Sequence, residues 1–199
     1  MHEAKLIENW FADHNETDDF WRPERAYAYE IIGPTQTSTR VIYCTKKHVT
    51  QRIVEEFRAS FDCGIISHYG LPLESDINWL LAIVATRELF FLGDMDPTDI
   101  MIFGWLRSAL QSIKVVHLGI NDKLNARLGY TMPENHRIAL SQGESTAVSR
   151  LEKFVPDVSD VLGNTCHDLL RSGFKIELEA LLIGIGNGAK ILDSVLEQC

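Results

Sequence analysis

The chain has 199 residues, 45% of them hydrophobic, and a formal net charge of −9. That length supports a single domain with an appended segment, and the acidic balance disfavours a general nucleic-acid coat, whose hold on phosphates comes from clustered Lys and Arg, while leaving room for local basic patches. Cys44, Cys63, Cys166 and Cys199 form no C-x-x-C pair, so neither a zinc ribbon nor a disulfide framework is expected, and a reducing intracellular setting, cytoplasm or nucleus, fits.

Residues 1–39 read as a leader. Residues 3–13 have the pattern of a short amphipathic helix, a polar stretch follows, and "GPTQTSTR" has the Gly-Pro and Ser/Thr content of a loop. The first residues lack the basic start and unbroken apolar core of a signal peptide. No apolar run reaches the roughly 18 residues needed to span a membrane, so no membrane contact is expected.

From Arg40 the pattern turns regular, and residues 40–199 are expected to form the main domain. "RVIYC" predicts a strand, and "KKHVTQRIVEEFRAS" a helix with Val49, Ile53, Val54 and Phe57 at helical spacing. "CGIISHYG" predicts a second strand, followed by "PLESDINWLLAIVATR", a helix with Ile77, Leu80, Leu81 and Val84 on one face. "ELFFLGD" and "KVVHLGI" predict a third and a fourth strand, with the helix "PTDIMIFGWLRSALQS" between them. Strands alternating with helices predict a four-stranded parallel sheet flanked by helices, a Rossmann-like α/β fold. Beyond Asn121 the chain is expected to be mainly helical, with helices in "LEKFVPDVSDVLG", "CHDLLRSGFKIELEALLIG" and "AKILDSVLEQ". "GIGNGAK" lacks the Walker spacing and reads as a turn between two helices.

In an open parallel sheet, ligands bind beyond the carboxyl ends of the strands. Asp94 and Asp96 stand at such an end, directly before Pro97. Two readings are open for this pair. Carboxylates one residue apart can converge on a hard cation such as Mg²⁺; alternatively, Asp96 is the N-cap of a helix begun by Pro97, and Asp94 a solvated loop residue. Asp122, just after the fourth strand, is a further carboxylate from the same sheet end. Lys46, His48 and Arg52, near the first helix, can face phosphate or simply form a solvated basic surface. Trp79 and Trp105 sit in apolar helical stretches and read as packing residues.

Taken in order, these segments resemble the Toprim domain shared by the DNA-cleaving chain of topoisomerase VI and the meiotic Spo11 proteins. "VIYCTKKHVTQRIVEEF" is similar to the opening strand and helix through Lys46, Val49, Gln51, Arg52 and Ile53, and "CGIISHYGLPLESDINWLL" to the second unit. "FFLGDMDPTDIMIF" matches an Asp-x-Asp-Pro-x-Gly stretch through Asp94, Asp96, Pro97 and Ile100. "RLGYTMPEN" matches through Leu128, Gly129 and Pro133, and "GFKIELEAL" through Lys175, Glu177, Glu179, Ala180 and Leu181. The resemblance implies a Toprim domain with a metal site at Asp94 and Asp96. It also shows departures. The family's first-strand glutamate is replaced by Thr45, its glycine after the proline is replaced with Asp99 nearby, and about 40 upstream residues are too few for the winged-helix domain that carries the nucleophilic tyrosine. The expectation is therefore a degenerate Toprim protein with weak Mg²⁺ binding or none, working on DNA as an accessory protein, with a partner subunit or as a homodimer. The alternative is an Mg²⁺-dependent phosphodiesterase or nuclease using the Asp94/Asp96 pair. A receiver-like domain is disfavoured, because Cys44, Thr45 and Lys46 stand where its acids would be.

Overall fold

The computed structural model describes residues 29–32, 38–46, 49, 63–68, 70–72 and 74–197. The proposed helix at 3–13, the body of the helix after the first strand, and with it His48 and Arg52, lie outside the described residues. Five strands form one sheet in the order β1-β3-β2-β4-β5. They are β1 (Tyr29–Ile32), β2 (Arg40–Cys44), β3 (Cys63–His68), β4 (Leu89–Leu92) and β5 (Val115–His117). The four predicted strands, β2 to β5, run parallel, while β1 pairs antiparallel with β3 from Tyr29 opposite His68 to Ile32 opposite Ile65. A strand from the stretch read as a leader thus extends the sheet at one edge.

Burial explains which strands lie in the middle. Val41 to Cys44 and Leu89 to Leu92 are buried along their whole lengths, the continuous apolar runs of strands covered on both faces. β5 closes the other edge, where Val116 and His117 are only half-buried. Helices α1 (Glu74–Val84), α2 (Pro97–Ala109) and α3 (Asp122–Leu128) follow β3, β4 and β5. Ile77, Leu80 and Val84 of α1 enter the core as the spacing predicts, and the middle of α2, from Ile100 to Leu106, is buried throughout. Trp105 is buried in that run, and Trp79 packs half-buried against the core.

The part after Asn121 departs from the predicted run of helices. "LEKFVPDVSDVLG" forms two short helices, α5 (Leu151–Phe154) and α6 (Val158–Leu162), because Pro156 disfavours a helical conformation at Val155, which adopts φ −133° and ψ 83°. "CHDLLRSGFKIELEALLIG" is not one helix. Helix α7 (Asn164–Arg171) stops before Gly173, whose φ of 95° turns the chain into strand β7 (Phe174–Lys175), and α8 (Leu178–Ile185) begins afterwards. β7 pairs antiparallel with β6 (Ile138–Ala139), which precedes α4 (Gln142–Val148). The "GIGNGAK" segment is the expected turn: Gly186, at φ 67°, ends α8, and the Asn187 side chain caps α9 (Gly188–Leu196).

An aromatic cluster ties β4 to its neighbours. The Phe91 ring stacks on Tyr43 at 5.9 Å and on His117 at 5.8 Å, and His117 also meets Phe103 edge-on at 5.2 Å. Both His117 ring nitrogens are buried without a hydrogen-bond partner among the described residues. Burial lowers the imidazole to about 4, so the folded state binds fewer protons there than the unfolded chain, and stability falls as pH drops from about 6.5 toward the folded value. His117→Phe keeps the ring shape and removes the unpaired polar atoms, an exchange that is close to neutral or stabilising. Urea unfolding between pH of about 4 and about 7 should show a smaller acid-side loss in the variant; an undiminished loss would assign the decline to other groups.

Candidate functional site

The strand order places the crossover between β2 and β4, the point in such a sheet where ligands bind. Past their ends the two strands stay tied, Thr45 N–H donating to Leu92 O at 3.3 Å, while Ile120 N–H reaches Gly93 O at 3.1 Å from the β5 side. Gly93 is needed here, since a Cβ would stand 2.6 Å from the Phe91 ring and 2.7 Å from Asp99 Oδ2. The chain then forms a bridge with Ile176, Met95 N–H donating at 3.0 Å and its carbonyl accepting at 3.2 Å. That bridge draws the segment between β7 and α8 across the mouth of the sheet.

Both carboxylates of the Asp-x-Asp pair have fixed partners. Asp96 is the N-cap of α2: its Oδ1 accepts from Asp99 N–H at 2.7 Å, and Pro97 occupies the first turn, as one of the two readings expects. Asp94 is no solvated loop residue. It is fully buried, its Oδ1 accepts from Leu178 N–H at 2.8 Å, and its Oδ2 lies 2.8 Å from Lys46 Nζ. The same ammonium is 3.8 Å from both Glu177 Oε1 and Glu179 Oε2. Lys46 therefore sits among three carboxylates, and the strand exit, bare in the sequence pattern, is roofed by the C-terminal segment.

Thr45 and Asp99 form a second linkage. Thr45 Oγ1 donates to Asp99 Oδ2 at 2.6 Å, and Asp94 N–H donates to the same oxygen at 2.5 Å. The end of β2 thus presents a short hydroxyl bonded to a carboxylate that arrives from α2. Further along the ribbon, Lys175 Nζ pairs with Glu144 Oε1 at 2.7 Å, and Glu144 Oε2 accepts from Ser141 N–H at 2.7 Å in the capping box of α4.

The electrostatics follow from burial. Desolvation, with the charges of Asp99 and Asp96 added, holds Asp94 well above the usual carboxylate range despite the opposing pull of Lys46. Desolvation raises Asp96 as well, against the Asp99 amide and the Lys175 charge. Asp99 is pushed up to about 7 by burial and the neighbouring Asp96. Burial alone would lower Lys46, but Asp94, Glu179 and Glu177 outweigh it and hold the ammonium above its ordinary value. The buried site is therefore an acidic turn whose carboxyl groups are raised by burial, around one lysine that stays charged.

Asp122 is engaged elsewhere. Its oxygens accept from Cys166 N–H and Thr165 N–H, each at 2.9 Å, at the start of α7. Burial opposes its ionisation, but these donors prevail and keep it below the usual range. Gly163, at φ 81°, makes room for this contact, since a Cβ there would lie 2.5 Å from the carboxylate. Asp122 thus stitches α3 to α7, and its hydrogen bonds do not reach the Asp94 cluster.

A divalent ion does not fit this arrangement as it stands. One oxygen of each aspartate already accepts a backbone N–H, and the other Asp94 oxygen is met by a lysine. Among the described residues, no group of three or more His, Cys, Asp or Glu side chains is arranged to hold a metal ion. Glu177, Glu179, Lys175 and Asp99 are the site residues that reasoning on the Asp-x-Asp pair misses. The alternating acids of "KIELE" and the acid at 99 were the available signals. No protein-family model matches the chain, and comparison with curated proteins finds no relative. Among the described residues, no helix is long and apolar enough to cross a membrane.

The raised Asp99 generates a pH prediction. The folded state holds that proton more firmly than the unfolded chain, so stability falls as pH rises from about 4 to about 7 and levels off above; Asp94 and Asp96 act in the same direction. Asp99→Asn keeps an oxygen for Thr45 and Asp94 N–H but removes the charge. The stability difference from the parent chain, in which the His117 contribution cancels, should move in the variant's favour between pH of about 5 and about 8. A pH-independent difference would show that Asp99 is not protonated in the fold.

Proposed function

We propose that this chain is a Toprim-like protein, related to the DNA-cleaving chain of topoisomerase VI, whose acidic site has passed from metal chemistry to internal neutralisation, and that it serves inside the cell as an accessory or partner subunit in a DNA transaction. The observation that carries this reading is Lys46 Nζ, 2.8 Å from buried Asp94 and flanked by Glu177 and Glu179. A divalent ion reaches Asp94 only by displacing that ammonium and separating it from its acids, so Mg²⁺ binding is weak. The parallel order β3-β2-β4-β5 and the placement of the Asp-x-Asp turn at its crossover support the Toprim likeness. The engaged Asp-x-Asp pair and Thr45 support loss of strand cleavage. The chain's role is then to present a surface to a partner subunit or to DNA.

Two measurements test the reading together. The chain should leave plasmid DNA uncut with Mg²⁺ or Mn²⁺, and neither ion at a concentration of about 1 mM should raise its melting temperature measurably, since an ion that binds the native state must stabilise it. Lys46→Ala leaves Asp94 buried and unpaired and should cost about 3–5 kcal/mol, as breaking a buried pair does, with Mn²⁺ restoring part of that loss by taking the vacated position. Cleavage by the parent chain that disappears in Asp94→Asn would reject the reading in favour of a phosphodiesterase.

A further inference from the structure

Away from the acidic turn, a cavity of about 320 Å³ lies where the junction of α8 and α9 faces the loop after α3. It is lined by Gly129, Tyr130, Thr131, His136, Gly184 and Lys190 among others, and by no acidic side chain, in a chain of net charge −9. Gly184 leaves the space open, since a Cβ there would stand 3.0 Å from Tyr130 Cε2 and 3.1 Å from His136 Cε1. Gly129 turns the chain at φ 66°, so that Tyr130 and Thr131 follow α3 into the wall of the cavity.

The polar side chains of the lining are Tyr130, Thr131, His136 and Lys190. Tyr130 Oη lies 2.8 Å from His136 Nδ1, and the two rings stack at 5.8 Å. Burial pushes the Tyr130 phenol up to about 12, with Arg137 pulling the other way, so the phenol keeps its hydrogen, and in one of the two imidazole tautomers it donates that hydrogen to Nδ1. A neutral imidazole that accepts at Nδ1 carries its hydrogen on Nε2. In that tautomer His136 offers an Nε2–H donor at a cavity that Lys190 and Thr131 also line. Donors, a cation and an acid-free lining are complementary to an oxyanion.

We propose that this cavity binds a phosphate group, with Lys190 supplying charge, His136 Nε2–H supplying a directed hydrogen bond, and Gly184 supplying room. The site is independent of the acidic turn and of the role proposed for it. The ligand is either a free phosphate or monoester or a phosphodiester in a nucleic-acid backbone.

Inorganic phosphate and a single-stranded oligonucleotide, titrated separately against the full chain at low salt and followed by NMR, distinguish these sources. Phosphate should shift the His136 and Gly184 signals saturably, and Lys190→Gln should weaken binding about ten-fold, the loss of one charge-assisted contact. Gly184→Ala, which favours the helix it sits in, should weaken binding by filling the cavity. Shifts of the same signals by the oligonucleotide, lost in both variants, assign a phosphodiester; a response to phosphate alone assigns a free phosphate or monoester. No saturable response to either probe, or one unchanged in both variants, overturns the proposal.

Discussion

The Lys46 ammonium held against buried Asp94 is the contact on which the rest of the site depends. Taking a carboxylate fully out of water costs several kcal/mol unless a partner and hydrogen bonds offset it. Here the offset comes from three parts of the chain at once. The end of β2 supplies Lys46, the start of α8 supplies Leu178 N–H, and the β4–α2 turn supplies the acid itself. Because these groups come from distant parts of the chain, the pair also sets how the C-terminal ribbon docks on the sheet.

That docking changes the meaning of the sheet's crossover. In an open α/β sheet the crevice between the first and third parallel strands is a free binding place. In this protein the bridge between Met95 and Ile176 closes over it, and Glu177 and Glu179 arrive above Lys46. The cation in this crevice is covalently part of the chain, and a lysine point charge has no open coordination position at which to polarise a phosphate oxygen. Of the acids without a lysine partner at this turn, Asp99 is raised to about 7 and Asp96 is raised as well, both chiefly by burial.

Much of the fold is legible in the sequence because its signals are local. The runs "RVIYC" and "LFFL" are apolar end to end and become the buried central strands, and Asp96 followed by Pro97 is a helix start that the structure realises as a cap. Elements whose reason is distant are not legible in the same way. β1 exists through pairing with β3 and carries Glu30 inside its short run, and the two-residue β7, which pairs with β6, is too short to announce itself. Asp99 looks like one more acid in a first helical turn; only the fold sets its oxygen against Thr45 at the end of β2. The burial of Asp94 was hidden for the same reason, since its cover comes from residues 84 positions later.

Lys46 Nζ can be followed directly by ¹⁵N NMR in chain labelled at lysine, with the signal assigned through Lys46→Arg. The account predicts an ammonium signal that stays charged past the pH of about 10.4 at which ordinary lysines titrate and does not move when Mg²⁺ is added. A signal that titrates with the other lysines, or that shifts saturably with Mg²⁺, would show that Lys46 does not occupy the cation's place.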